Sequence, residues 1–172
     1  MKYRKHFVTN SSSSCFVAIY QGEETCIEEL KKSIKRYRRK EYVAGKKGEL
    51  QFEGHLRTYD DFDSRLNFVC LTFLQCGIDF ENHPTGTELC DLFKEKAGIS
   101  LNTDYIAKLY NNEDAHIDHE SCSTDSIIFS SKDSLEKFLF GKKSLFIQGW
   151  DDVDGEDEKY YNNPEYESDF IY

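Results

Sequence analysis

The densest group of side chains that can perform chemistry lies in residues 115–122. If this segment is extended, the alternation of side chains puts His116, Asp118 and Glu120 on one face. Imidazole and carboxylate groups bind Zn²⁺, Mn²⁺ or Mg²⁺, so these three residues form a candidate metal site. A histidine beside a carboxylate is also a typical general base, which makes His116, His119 and Glu120 the candidate catalytic residues.

Two observations favour a structural role for the same segment. Its histidines are three residues apart, whereas a metalloprotease helix needs the spacing His-Glu-x-x-His. A strand end that leads into a polar turn is often rich in His, Asp and Ser, because these side chains cap backbone groups. The sequence therefore leaves a metal or catalytic site and a capped turn as alternatives, and it assigns no cofactor.

A run of short polar side chains precedes an apolar segment near the start of the sequence. Hydroxyl groups at such a junction bond to their own backbone or line an anion site. The P-loop motif Gly-x-x-x-x-Gly-Lys-Ser/Thr is absent, and no serine has the flanking glycines of a nucleophile elbow. The run is therefore either a polar connector or part of a binding site formed by Asn10, Ser11, Ser12, Ser13 and Ser14.

Charge is segregated along the chain. Residues 31–47 contain nine basic residues and one acid, and residues 151–172 contain nine acids and one lysine. Clustered positive charge can bind phosphate groups, which makes Arg36, Arg38 and Arg39 further candidate binding residues. The overall net charge of −10 and the lack of a base-reading motif argue against nucleic acid. The sequence leaves open whether the two charge blocks meet each other or a partner.

Composition excludes several classes of protein. The chain has 172 residues, of which 38% are apolar and 15% aromatic, so a disordered chain is excluded. No apolar run is long enough for a membrane span, and no signal peptide is visible, which predicts a cytoplasmic protein. Six cysteines without Cys-x-x-Cys spacing, in a chain of this size, predict reduced and mostly buried thiols.

Hydrophobic periodicity predicts an α+β fold with a small mixed or antiparallel sheet packed against several helices. We expect one such domain over residues 1–150, followed by an acidic, tyrosine-rich tail over residues 151–172 that frays. Residues 42–54 are predicted to form a loop or a weak hairpin. The expected helices are residues 23–39, 60–76, 85–96, 103–110 and 131–140, and the expected strands are residues 5–9, 15–20, 116–118, 126–129 and 144–149.

The opening of the sequence also resembles a known group. Arg4 and Lys5 precede the run from Phe7 to Asn10, which is followed by serines and then Phe16. This order is similar to the start of a group of small uncharacterised bacterial and phage proteins, although Cys15 stands where a further serine is usual. Residues 117–121 and 137–144 resemble the same group. The resemblance implies a cytoplasmic bacterial or phage origin and a meeting of the serine run with residues 117–121, but it carries no catalytic residues.

Three hypotheses about function follow. In the first, this is a binding protein whose acidic surface and tail contact a basic protein partner. In the second, it is a metal-dependent hydrolase of phosphoesters or nucleic acid built on residues 116–120. In the third, it binds a small anion or nucleotide at the serine run and the basic helix. Its oligomeric state is not set by the sequence.

Overall fold

The computed structural model describes residues 14–20, 26–52, 57–117, 127–150 and 167–171. Within these ranges the chain forms helices and strands that interleave, which confirms the predicted α+β class. The helices are α1 (Ile27–Tyr37), α2 (Phe62–Gln75), α3 (Pro84–Ala97), α4 (Asp104–Asn111), α5 (Ile127–Ser130) and α6 (Lys132–Phe140). The strands are β1 (Ser14–Tyr20), β2 (Glu41–Val43), β3 (Gln51–Phe52), β4 (Arg57–Tyr59), β5 (Ser100–Asn102), β6 (His116–Ile117), β7 (Leu145–Trp150) and β8 (Glu167–Ile171).

The main sheet has four antiparallel strands in the order β4-β7-β1-β8. β1 lies inside the sheet, with Val17 opposite Ile147 of β7 on one side and Phe170 of β8 on the other. The predicted strand at residues 15–20 is therefore confirmed, and the structure shows that it is an inner strand. The expected strand at residues 5–9 lies outside the described residues.

The acidic tail contains a strand, which the sequence did not predict. Residues 167–171 form β8, the outer strand beside β1, so the expectation that the tail frays is wrong for these residues. Edge strands commonly carry charged side chains, which discourage pairing with other molecules, so acidic composition does not argue against a strand here. Residues 151–166 lie outside the described part of the chain.

Within the described residues 42–52, the predicted loop is present between two short strands, but the alternative of a hairpin is wrong because these strands do not pair with each other. β2 pairs in parallel with β5, and β3 pairs in parallel with β6, so each strand bonds to a partner far along the chain. A pattern of alternating side chains gives no sign of a partner at that distance, and two or three residues are too few to show the alternation. Between the two strands the chain turns at Gly45 and Gly48, both with positive φ.

Several helix boundaries follow from capping groups that the sequence shows. Asp61 caps α2 by accepting from the Ser64 amide at 2.7 Å, and Ser131 caps α6 by accepting from the Ser134 amide at 3.1 Å. α3 begins one step earlier than expected, because His83 is its cap and Pro84 takes the first helical position. Residues 126–129 were predicted to be a strand, which is wrong, since Ile127–Ser130 is a single helical turn before α6.

α2 is the central helix of the core. The helix predicted over residues 60–76 is confirmed, and every residue from Ser64 to Phe73 is buried. Around it, the ring of Phe68 lies 4.6 Å from that of Phe146 and 5.6 Å from that of Phe52, measured between centroids. This aromatic group joins α2 to β3 and β7 and supplies much of the apolar area that stabilises a domain of this size.

One charged side chain is buried inside this core. Arg65 on α2 is 1% exposed, and its guanidinium donates to the backbone carbonyls of Asp60, Leu139, Gly141 and Ser144. Its Nε atom has no hydrogen-bond partner among the residues the structure describes. Burial lowers the pKa of the Arg65 guanidinium. The side chain therefore fixes the start of α2 to the turn between α6 and β7.

The four cysteines whose side chains are described form no disulfide with one another, and the expectation that the thiols are mostly buried holds fully only for Cys70. Cys70 is buried, Cys26 and Cys90 are half-buried, and Cys76 is exposed. In the described ranges, no helix combines the length and the apolar character that crossing a membrane requires.

We expect Arg65→Met to lower the free energy of unfolding by about 3 kcal/mol, because four carbonyls lose a charged donor in a site closed to water. Urea denaturation followed by circular dichroism measures this change. Lys108→Met, at an exposed base on α4, is the matched control and should stay within about 0.5 kcal/mol of the wild type. A similarly small effect of Arg65→Met would contradict the prediction, since it would mean that desolvating the charge costs as much as its hydrogen bonds return.

Candidate functional site

Two lysines are presented by a short loop that is fixed to α2. The loop, Gly45-Lys46-Lys47-Gly48, is called here the lysine loop. Asn67, which is 1% exposed, accepts from the Gly45 amide at 2.7 Å and donates to the Lys47 carbonyl at 2.5 Å. The same amide group also donates to the Glu49 carbonyl at 2.9 Å. A buried asparagine thus holds both ends of the loop.

The two glycines of the lysine loop allow its close approach to the helices. Gly45 has φ +80° and Gly48 has φ +76°, a region that favours glycine. A Cβ atom at Gly45 would lie 2.9 Å from Cβ of Ile106 on α4, and one at Gly48 would overlap the backbone of Asp63 and Ser64. The loop therefore sits against the core with little room to move, and its lysines project from a rigid base.

The end of α1 supplies the second group of bases. Arg38 has φ 48°, and its amide donates to the carbonyls of Ile34 and Lys35, which ends the helix in the left-handed conformation usually taken by glycine. The chain then turns toward β2 through Arg39 and Lys40. This turn brings the C-terminal end of α1 next to the lysine loop.

These two segments enclose a hollow that we call the basic cleft. Its volume is about 330 Å³, and a smaller hollow of about 190 Å³ adjoins it. Arg39, Tyr42, Lys47 and Asp63 line both hollows. The basic cleft is lined in full by Arg39, Lys40, Glu41, Tyr42, Val43, Lys46, Lys47 and Asp63.

The acids of the basic cleft have hydrogen-bond partners within the protein. The hydroxyl of Tyr42 donates to Asp63, and the side-chain amide of Asn102 donates to Glu41 at 3.1 Å. Burial, and then the hydrogen bond to Asp63, raises the pKa of the Tyr42 phenol, so that the phenol stays protonated and remains a donor. Tyr42 is held by edge-on contact with Phe62, whose ring centroid lies 5.6 Å away.

The bases of the basic cleft lack such partners. Arg39, Lys40, Lys46 and Lys47 form no ion pair with any carboxylate of the described residues. Elsewhere on the surface, bases do find acids: Lys132 lies 2.6 Å from Glu95. Four cations that form no ion pair among the described residues surround one hollow and repel one another, and an anion placed between them would relieve that repulsion.

A cysteine lies at the wall of the smaller hollow. Cys26 precedes α1, and its amide donates to the Phe140 carbonyl at 2.7 Å. Burial raises the pKa of the Cys26 thiol, an effect that the nearby Arg65 guanidinium only partly offsets. The group is therefore a thiol at neutral pH, which is a poor nucleophile.

The binding residues expected from the sequence lie in different places in the structure. Arg39 lines the basic cleft, whereas Arg36 and Arg38 are exposed at the end of α1 and do not line it. Ser14 is the first residue of β1, opposite Trp150. Asn10, Ser11, Ser12 and Ser13 lie outside the described residues, so their role stays a prediction.

The proposed metal and catalytic segment is described only at its start. His116 lies on β6, where its amide donates to the Leu50 carbonyl at 2.9 Å. Asp118, His119 and Glu120 lie outside the described residues. Within the part of the chain that is described, no three His, Cys, Asp or Glu side chains come together as metal ligands. A metal or catalytic site at residues 116–120 therefore stays a prediction.

Sequence reasoning missed most of the cleft. Lys46 and Lys47 belong to the basic block but were not among the candidate binding residues. A glycine on each side of two lysines is nevertheless a pattern that indicates a tight basic turn. Asp63 and Asn67 lie on the face of α2 that meets the loop, and their four-residue spacing places them together on a helix. No pattern in the sequence indicates that this face meets the lysine loop.

We expect Asn67→Ala to lower the free energy of unfolding by about 2–3 kcal/mol, because three backbone groups of the loop lose their partner. The amide of Gly45, which donates to Asn67, should also exchange with deuterium faster than in the wild type, which hydrogen-exchange mass spectrometry or NMR measures. Asn111→Ala, at an exposed position of α4, should change neither property. Unchanged exchange at Gly45 in Asn67→Ala would show that the loop is held by other contacts.

Comparisons of the chain with protein-family models, with curated proteins and with solved structures find no match. The resemblance of the opening segment to small bacterial and phage proteins therefore stays a prediction. A proposal about function has to rest on the basic cleft itself.

Proposed function

We propose that this protein binds a small phosphate-bearing anion in the basic cleft. The observation that carries the proposal is the convergence of Arg39, Lys40, Lys46 and Lys47 on one hollow of about 330 Å³ without an ion pair to any described carboxylate. Small-molecule sites typically have volumes of roughly 300–1,000 Å³. The cleft therefore suits one small ligand.

The chemistry of the lining favours phosphate. The guanidinium of Arg39 offers a planar fork of donors that matches two phosphate oxygens, and each lysine adds a compact charge with three donors. The lysine loop is fixed by Asn67 before any ligand arrives. Binding therefore costs little ordering of the protein, which raises affinity.

The same lining contains acids, which restrict the ligand. Glu41 and Asp63 lie in the basic cleft, so its formal charge is +2 from four bases and two acids. The protein as a whole carries −10. A long polyanion would meet this negative surface beyond the cleft, whereas a small anion would not. The proposal therefore concerns a small molecule rather than a nucleic acid.

The other hypotheses drawn from the sequence stay predictions. A basic protein partner for the acidic tail and a metal-dependent hydrolase both depend mainly on residues outside the described ranges. The cytoplasmic location and the bacterial or phage origin rest on composition and on the resemblance. None of them has the support of a described site, which is why anion binding is the function we put forward.

We expect the double variant Lys46→Gln/Lys47→Gln to bind inorganic pyrophosphate at least about tenfold more weakly than the wild type, because it loses two charged donors worth roughly 1.5–3 kcal/mol each. Isothermal titration calorimetry at low ionic strength measures the affinity. The matched control is Lys142→Gln/Lys143→Gln, which makes the same charge change at an exposed pair after Gly141. Equal losses in the two variants, or no binding by the wild type, would contradict the proposal.

We also expect pyrophosphate to slow the alkylation of Cys26 by iodoacetamide, because this thiol lines the hollow that adjoins the basic cleft. Cys76, which is exposed at the end of α2, should react at the same rate with and without pyrophosphate. Mass spectrometry of the digested protein follows both residues. Protection of both thiols, or of neither, would place the anion elsewhere.

A further inference from the structure

We infer that the bound anion is a nucleotide, with its phosphate groups in the basic cleft and its base stacked on Tyr37. This inference rests on the proposed function, because it assigns the remaining parts of the ligand whose phosphate the cleft binds. It comes from a tyrosine beside the cleft and from a carboxylate within it.

Tyr37 is the last residue of α1 and is 62% exposed. Among the described residues it is one of two large hydrophobic side chains with such exposure, and the other is Tyr105 at 44%. An exposed aromatic ring offers a flat face on which a planar group such as a nucleobase can stack. Tyr37 also belongs to the short segment that brings Arg39 to the cleft.

The ring of Tyr37 and the basic cleft share one side chain. The guanidinium carbon of Arg39 lies over the Tyr37 ring, 5.3 Å from its centroid, and Arg39 also lines the cleft. This contact holds the ring beside a side chain that lines the cleft. A ligand whose phosphate contacts Arg39 therefore places its next groups close to an exposed aromatic face.

Aromatic rings beside positive charge are the usual means by which proteins hold a nucleobase next to its phosphate. The ring supplies stacking for any base, since each base has a flat face, and the cations neutralise the phosphate. The order along the protein surface here is Tyr37, Arg39 and then the lysine loop. A nucleotide has the same order of base and phosphate, with the sugar between them.

Asp63 can accept from that sugar. The Tyr42 hydroxyl donates to Oδ1 of Asp63, which fixes the carboxylate, and no described residue donates to its other oxygen. Asp63 lines both hollows, so its carboxylate lies against the space that a ligand would occupy. A carboxylate repels phosphate but accepts hydrogen bonds from hydroxyl groups. Its presence among four bases is explained by a ligand with both kinds of group.

The test compares two ligands that differ only in the base. AMP and ribose 5-phosphate carry the same sugar and phosphate, and both are titrated into the full-length protein at low ionic strength. We expect AMP to bind about tenfold more tightly, since stacking on an aromatic side chain contributes that much. Tyr37→Leu should bring the two affinities together. Tyr105→Leu, which removes the other exposed tyrosine, should keep the preference for AMP.

The outcomes separate this inference from the proposed function. Equal affinities of the wild type for AMP and ribose 5-phosphate would overturn the inference, while binding of both would still support an anion site. A preference for AMP that survives Tyr37→Leu would overturn the assignment of the base to Tyr37. Binding of neither compound, nor of pyrophosphate, would overturn the proposed function as well. Binding of a short oligonucleotide without binding of AMP would overturn the inference that the ligand is a free nucleotide.

Discussion

The arrangement of this protein depends on a positive charge that is buried without a carboxylate partner among the described residues. Arg65 is surrounded by carbonyl oxygens, and two of them, from Leu139 and Gly141, belong to the C-terminal end of α6. That end of a helix carries partial negative charge, which stabilises a cation placed there. Desolvating a guanidinium is costly, so the chain must keep these carbonyls in place to hold it. One side chain thereby fixes the position of α2, α6 and the beginning of β7.

Residues in the first two turns of α2 make contacts both in the core and at the basic cleft. Arg65 points into the α6–β7 turn, while Asn67 holds the lysine loop and Asp63 accepts from Tyr42. Because these groups lie on one helix that is packed in the core, the residues that line the basic cleft are held in fixed positions by the same packing. Its cations are held near one another before a ligand is present, and a bound anion adds its binding free energy to the stability of the fold.

The sequence predicted those parts of the structure that depend on local signals. Asp61 and Ser131 are cap residues followed by apolar periodicity, so α2 and α6 were found nearly at their true ends. β2 and β3 were missed because each bonds to a strand far along the chain. β8 was missed because a segment with charged residues does not show the apolar pattern of a strand. α5 was predicted as a strand because a short apolar run is equally compatible with a strand and a helix.

The candidate site was predicted less completely than the fold, for a similar reason. Arg39 stood out because its charge belongs to a dense basic block. The positions of Lys46 and Lys47 depend on the hydrogen bonds of Asn67 to their loop. Asn67 and Lys47 are about 20 residues apart in the sequence, so periodicity does not reveal this tertiary contact. Tyr37 follows Ile27, Leu30 and Ile34 at the three- to four-residue spacing of an apolar helix face, and only the structure shows that its ring is exposed.

The position of β1 affects the order in which parts of the protein fold during synthesis. β1 is the first described segment of the chain, yet both of its neighbours, β7 and β8, come after the helices of the described ranges. Its backbone groups therefore wait for these partners until β7 and β8 have left the ribosome. Non-local pairing of this kind slows folding and leaves an apolar strand exposed in the meantime. The helices around α2 contact one another over shorter separations, so the basic cleft can assemble before the sheet that closes the domain.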